Sequence, residues 1–406
     1  MIKRTVYTDL WNELSSEKQM IFMSGPRQAG KTTFAKETAK SFKNSMYFNW
    51  DIVSSKKLLI ERPSFFEEIN RVDESTPLVI LDEIHKYKHW KNYLKGIYDQ
   101  FSSGYKFLVS GSGRLDLYEK AGDSLAGRYF LFHIFPFTLS ELAGKRKPFK
   151  IFYKAPVDDI DDGAVSSRKI WDTLSVTSGF PEPFVKQHKA FWTKWSNNYT
   201  RQIIREDIRD LSGIKNAESA ELLFSLLPSR VGSPISMNNI AGDLQVSFDT
   251  VKNWLTLFNS FYLTFRISPW AKKISRAITR EKKLYLFNYP EIQDESARFE
   301  NMVALELFRA VHAWNEHGYG RFGLHYIRNK EREEVDFLIT ENNDPLLLIE
   351  AKHADDTPAK SLIAFQSVVR APAVQLVNKE NVFRRIKNGT HKLLVITGHR
   401  WLASLP

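Results

Sequence analysis

The stretch Met20–Thr33, MIFMSGPRQAGKTT, decides how this chain is read. An apolar run leads into Gly25-Pro26-Arg27-Gln28-Ala29-Gly30-Lys31-Thr32, and a helical pattern follows. The spacing is G-x-x-x-x-G-K-[ST], placed after a strand and before a helix. The glycines let the backbone turn with its N–H groups facing inward. Those donors, together with the following helix N-terminus, make an anion site. In such a loop Lys31 reaches the β- and γ-phosphates of a nucleotide, and the Thr32 hydroxyl ligates Mg²⁺. The expected nucleotide contacts are therefore Gly25, Pro26, Arg27, Gln28, Ala29, Gly30, Lys31, Thr32 and Thr33, with ATP and Mg²⁺ as ligands. The competing reading is a glycine turn carrying a solvated lysine, and the strand–loop–helix context weighs against it.

Working outward, residues 7–19 read as a helix, Met20 to Ser24 as the first strand, and Met46 to Trp50 as the second. Leu78-Val79-Ile80-Leu81 is four aliphatics ending in Asp82-Glu83, the pattern of a buried parallel strand with acids at its C-terminal end. Open α/β sheets bind ligands at those ends. Asp82 is expected to hold Mg²⁺ through water, and Glu83 to orient or deprotonate the attacking water. His85 reads as a turn residue. The next strand ends in Ser110-Gly111-Ser112, which puts Ser110 in place to hydrogen-bond the water or the γ-phosphate. Arg128, in Leu125-Ala126-Gly127-Arg128, is a candidate arginine finger toward a neighbouring subunit's γ-phosphate, and Arg114 is its alternative. The repeating βα pattern with these loop motifs predicts an α/β P-loop NTPase domain with a parallel sheet over residues 1–145.

The bulk numbers agree. A chain of 406 residues with 43% hydrophobic content has material for several cores. No apolar run approaches the ~20 residues that a membrane span needs. The segment MIKRTVYTDLWNEL reads as polar and amphipathic, not as a secretory signal. The absence of cysteine excludes disulfides, thiolate catalysis and zinc–thiolate sites. A cytoplasmic protein with no membrane association is expected. The net charge of +11 suits a polyanionic partner such as DNA.

Residues 146–232 read as a linker and helical region. They include the acidic cluster Asp158-Asp159-Ile160-Asp161-Asp162, which is more often solvated than metal-bound. Residues 233–290 read as a winged helix. Helices over Ser236–Asp243 and Phe248–Phe258 are followed by wing strands over Tyr262–Ile267 and Lys283–Phe287, which flank the basic Lys272-Lys273-Ile274-Ser275-Arg276. Such a module reads DNA through its second helix or serves as a packing domain, and this second helix carries few basic residues.

In residues 291–406, Glu300 lies on a helix that precedes a hairpin. One strand carries Glu334-Val335-Asp336, and the next Leu348-Ile349-Glu350-Ala351-Lys352. The two-residue period puts Glu350 and Lys352 on one face. Glu300, Asp336 and Glu350 around a second divalent ion, with Lys352 near the attacking water, is an arrangement suited to metal-assisted phosphodiester hydrolysis.

At this point the chain resembles a known architecture. The ordered set Glu300, Asp336, Glu350, Lys352 resembles the PD-(D/E)xK nuclease core. The whole chain resembles bacterial and archaeal AAA-type ATPases that end in a domain of unknown function with that core. The carriers are GPRQAGKTT, LVILDE, LVSGS, LAGR, SGFPE at 178–182, REDIRDLSGI ending at Ile214, and EVDFLI with IEAK. The resemblance implies a small C-terminal α/β, restriction-endonuclease-like domain. Val335 stands where the literal motif has proline. An active nuclease, a degenerate nucleic-acid-binding domain and a protein-interaction domain all remain open. The overall expectation is an ATP-hydrolysing protein that acts on or binds DNA, as a homo-oligomer. The alternative is a nucleotide-dependent switch for a protein partner, with an inert nuclease-like domain.

Overall fold

Two-residue alternation along buried strands builds the first sheet. The computed structural model describes residues 2–111, 125–158, 165–209, 217–272, 281–389 and 391–406. Strands β1 (Met20–Ser24), β2 (Ser45–Asn49), β3 (Leu78–Asp82), β4 (Lys106–Ser110) and β5 (Phe130–His133) lie in the order β2-β3-β4-β1-β5. Every pairing among them is parallel. Met20, Phe22, Val79, Leu81, Phe107 and Val109 point to one face, against Phe65, Phe66, Trp90 and Leu94. Ile21, Met23, Leu78, Ile80 and Leu108 point to the other, against Val6, Leu10, Trp11 and Phe34. Because both faces are covered, the strands read as unbroken apolar runs.

Helix α1 (Thr5–Glu17) packs on the second face, and α2 (Lys31–Ala39) starts at the end of the glycine loop. A helix over Trp90–Phe101 covers the first face. Expected and observed elements agree to within about three residues. Ser112 and Arg114 lie outside the described residues. These elements belong to a compact unit, Met1–Pro136, and a second unit comprises Phe137–Pro406.

The second unit holds an eight-stranded mixed sheet. Its strands are β6 (Thr264–Pro269), β7 (Lys283–Leu286), β8 (Phe322–Arg328), β9 (Glu334–Glu341), β10 (Asp344–Lys352), β11 (Ala373–Val377), β12 (Phe383–Asn388) and β13 (His391–Thr397), in the order β12-β13-β11-β10-β9-β8-β6-β7. The β9–β10 hairpin is antiparallel, whereas β10–β11 and β11–β13 are parallel. The helix Glu295–Glu316 crosses this region, its first turn capped by Asp294, whose Oδ1 accepts from Ala297 N at 2.7 Å.

The helix–turn–helix expected in the middle forms over Met237–Leu244 and Phe248–Ser260, with Ser236 and Ser247 as caps. The two strands anticipated as wings do pair with each other, Thr264 opposite Leu286. In addition, β6 continues into a short parallel pairing with β8, so the pair forms one edge of the large sheet. Residues 273–276 of the basic segment and 159–162 of the acidic one lie outside the described residues. Asp158 is bound by Lys392 at 2.7 Å. Within REDIRDLSGI, the first four residues belong to a π-helical turn, Ile203–Ile208, in which Arg205 pairs with Glu221 at 2.6 Å. Residues 210–214 are outside the described set. No helix among the described residues is long and apolar enough to cross a membrane.

Buried charge marks one point in this core. The Glu306 carboxylate accepts from Leu139 N at 2.6 Å, and Arg309 donates to Ser140 Oγ at 2.6 Å and to Pro406 O at 2.9 Å. Burial pushes the Glu306 carboxyl up to about 7, against the opposing pull of Arg309 and the Leu139 and Ser140 amides. An unfolded glutamate ionises near 4.5, so the protonated form favours the fold. That contribution is complete below about pH 4.5 and is lost as pH rises through about 7. Glu306→Gln is expected to flatten part of the fall in melting temperature between pH 5 and 8. An unchanged slope in thermal melts across that range would contradict this.

Candidate functional site

Level strand ends gather the first site. Ser110 stands opposite both Met23 and Asp82 in the sheet register. The glycine loop after β1, the acid ending β3 and the serine ending β4 therefore emerge at one edge. Gly25 has φ +142°, and a Cβ there would come within 2.1 Å of the Ile134 carbonyl oxygen, so only glycine fits. Gly30, at φ +95°, makes the turn into α2. Gln28 is also left-handed, at φ 58°. The Lys31 ammonium is buried and donates to the Gly25 carbonyl at 2.9 Å and the Pro26 carbonyl at 2.6 Å. It lies across the mouth of its own loop.

Asp82 is the centre of the polar network. Its side chain is fully buried at the strand end. Thr32 donates to Oδ2 at 2.7 Å, Tyr47 donates to the same oxygen at 2.7 Å, and Ser110 donates to Oδ1. Thr32, Asp82 and Ser110 were expected together, and the structure brings them together. Tyr47 was not anticipated. Burial, and then the Asp82 carboxylate, hold its phenol far above the ordinary range, so it stays a donor. The strand period sets only the facing of Tyr47, opposite to buried Phe48, and its pairing with Asp82 carries no local signal.

Glu83 follows in a left-handed conformation, φ 57°, which costs a glutamate of the order of 1 kcal/mol. Its amide donates to the Ser110 carbonyl at 2.9 Å, and its carboxylate sits 3.1 Å from Lys86 Nζ. Lys86 also pairs with Asp51 at 2.6 Å. His85 is buried in the short turn Ile84–Lys86. Arg128 is paired with Asp99 on the Trp90–Phe101 helix, at 2.7 Å.

A further residue escaped the sequence reading. Arg4 is buried and donates to the Ala29 carbonyl and the Phe135 carbonyl, both at 2.8 Å, with its guanidinium 4.6 Å from the Tyr7 ring centroid. It ties the glycine loop to the segment after β5. A lone arginine near the start of the sequence carries no motif, so no local signal marked it.

Glu300, Asp336, Glu350 and Lys352 also converge, in the second unit. Lys352 Nζ lies 2.6 Å from Glu350 Oε1, as the same-face argument required. The Ala351 amide donates to Asp336 Oδ2 at 3.0 Å, and the Asp336 amide donates to Glu350 Oε2 at 3.3 Å. Tyr285 donates to Glu300 Oε1 at 2.8 Å. Burial, and then the Asp336 charge, push Glu300 up to about 7 and Glu350 up to about 8.

The sequence reading missed Lys283, on β7. Its ammonium lies 2.6 Å from Glu334, 3.1 Å from Glu300 and 3.3 Å from Asp336. Burial alone would pull its pKa down, and the three carboxylates outweigh that and raise it. Among the described residues, no group of three or more acidic or histidine side chains is disposed to hold a metal ion. The expected second divalent ion is not shown, and Glu300, Glu334 and Asp336 are paired with the Lys283 ammonium.

Removing the Arg4 anchor tests the loop's support. Arg4→Gln is expected to lower stability by about 2 kcal/mol, since it leaves buried carbonyls without their charged donor, and to weaken ATP binding severalfold. Denaturant melts and nucleotide titrations that match the parent protein would contradict the assignment.

Comparison with known proteins gives three matched segments. Residues 17–143 match the family described as an AAA domain. Residues 168–289 match a domain of unknown function, DUF8612, and residues 295–396 another, DUF4143. Uncharacterized protein Rv2008c of Mycobacterium tuberculosis is 23% identical over 267 residues, covering 66% of this chain and 54% of its own. Uncharacterized protein MJ1637 of Methanocaldococcus jannaschii is 23% identical over 300 residues, covering 68% of this chain and 62% of its own. The chain thus spans about half to three-fifths of the length of these curated relatives. Among solved structures, a Walker-type ATPase of Pyrococcus abyssi aligns with TM-score 0.44 and 12% identity, over 72% of this chain and 95% of its own. The Aeropyrum pernix ORC1 protein in complex with DNA aligns with TM-score 0.34 and 12% identity, over 76% and 94%. Likeness of that depth carries no argument about function. The first unit thus has the parallel sheet and glycine loop of a P-loop NTPase fold, with residues 17–143 matching an AAA domain and the matches to two domains of unknown function following it.

Proposed function

We propose that residues 1–145 bind ATP with Mg²⁺ and hydrolyse it, and that the nucleotide cycle acts on the rest of the chain: a helical region at 146–232, a winged helix at 233–290 and a nuclease-like domain at 291–406. The observation that carries the reading is the 2.7 Å hydrogen bond from Thr32 to Asp82. That contact supports the sharing of one divalent ion by the loop threonine and the strand-end acid. Thr32 would hold Mg²⁺ directly and Asp82 through water, and the ion supplies charge neutralisation on the phosphates. The loop amides of residues 25–33 cradle the phosphates, and Lys31 swings from its carbonyl partners to the β- and γ-oxygens. Glu83 orients the attacking water once released from Lys86, and Ser110 hydrogen-bonds that water or the γ-phosphate. Arg128 serves as a finger in a homo-oligomer by exchanging Asp99 for a neighbour's nucleotide.

The net charge of +11 over the whole chain supports a DNA partner. A second reading has a specific observation behind it. Because Lys283 neutralises the acids, the nuclease-like domain is inert, and the protein is a nucleotide-dependent switch for a protein partner. DNA incubated with Mg²⁺ or Mn²⁺, with and without ATP, beside a Glu350→Ala/Lys352→Ala control separates the two. Cleavage lost in the control favours a nuclease, and no cleavage favours the switch.

The ATPase reading has its own test. Lys31→Ala is expected to weaken ATP binding at least a hundredfold by calorimetry. Glu83→Gln is expected to bind within a fewfold of the parent yet release phosphate at least a hundredfold more slowly, about 2.7 kcal/mol in barrier. Undiminished ATP affinity in Lys31→Ala overturns the reading.

A further inference from the structure

Three acids of the second unit surround one buried lysine, Lys283. Lys283 and Tyr285 lie two apart on β7 and share a face, and both reach Glu300. The ammonium has three N–H donors. Three carboxylate oxygens stand around it, from Glu300, Glu334 and Asp336, at 3.1, 2.6 and 3.3 Å. The donor and acceptor counts match one to one. The side chain is 1% exposed, and the Tyr326 ring centroid lies 5.6 Å from Nζ. The far edge of β7 is closed too. Pro234 bridges to Lys283, Ile235 N donates to the Lys282 carbonyl at 3.1 Å, and a Cβ on Gly232 would come within 2.8 Å of Glu300 Oε2. The ammonium is therefore enclosed within the fold, away from solvent.

We infer that Lys283 is the built-in cation of this centre, occupying the space between Glu300 and Asp336 and excluding a divalent metal from it. An ion bridging those two carboxylates at ordinary ligand distances of about 2.0–2.6 Å would share their facing oxygens with the ammonium. Two cations at that separation repel strongly, and the lysine is covalently present at all metal concentrations. The second lysine, Lys352, is committed to Glu350 at 2.6 Å. The arrangement keeps the geometry of a metal centre while satisfying it with protein charge. This inference is independent of the ATP reaction of the first unit.

The test uses Mn²⁺ as probe and the full chain in an Asp82→Asn background, which silences the nucleotide-site ion. Bound Mn²⁺ is read by loss of the free-ion signal in electron paramagnetic resonance. With Lys283 present, millimolar Mn²⁺ is expected to show no uptake that depends on Asp336, as judged against an added Asp336→Asn. With Lys283→Gln, one Mn²⁺ per chain is expected, lost again when Asp336→Asn is added. If Lys283→Gln does not fold, Lys283→Gln/Glu334→Gln removes the lysine with its closest acid and is expected to gain the same ion. Asp336-dependent Mn²⁺ uptake with Lys283 in place overturns the inference. So does a folded Lys283 variant that takes up no Mn²⁺.

Discussion

The first unit depends on one buried carboxylate. Asp82 terminates an all-apolar strand, and its two oxygens accept from Thr32, Tyr47 and Ser110. A carboxylate at zero exposure is costly unless hydrogen-bonded. Its three hydroxyl partners come from three different elements: the start of α2, β2 and the end of β4. Satisfying that one charge therefore fixes the mutual position of the glycine loop and the strand ends. The sheet order serves the same end, because β4 lies between β1 and β3 and sets Ser110 level with both. Gly25 then brings the loop against Ile134 more closely than any side chain would permit.

The second unit solves a similar problem differently. Where the first presents an acid to hydroxyls, the second packs several acids round a lysine. Partial neutralisation explains how Glu300, Glu334 and Asp336 can stand so close together. Glu300 and Glu350 are raised by burial and by Asp336 against the opposing pull of Lys283 and Lys352, and Lys283 is raised by its acids against burial. A sequence motif records which acids are present and in what order. It does not record which cation answers them.

That difference marks what was legible in the sequence. The loop from Gly25 to Thr33, Asp82 and Ser110 were readable because each follows an apolar strand at a fixed spacing, so local pattern determines position. Glu350 and Lys352 were readable for the same reason, through the two-residue period. Arg4, Tyr47 and Lys283 were not. Each reaches its partners through long-range packing: Arg4 to Ala29 and Phe135, Tyr47 to Asp82, Lys283 to three acids on other elements. The wing strands show the same limit. Their hairpin pairing is local and was anticipated, whereas the join from β6 to β8 spans more than fifty residues and was not. Arg128 was marked by its loop, but its bond to Asp99 depends on where the Trp90–Phe101 helix packs.

The most direct test of the central claim is a structure of the full chain with Mg²⁺ and a non-hydrolysable ATP analogue. The account predicts that Lys31 Nζ leaves the Gly25 and Pro26 carbonyls for the β- and γ-phosphate oxygens, while Thr32 Oγ1 turns from Asp82 to the metal. An analogue bound elsewhere, with Lys31 still on its own loop and Thr32 still on Asp82, would contradict it.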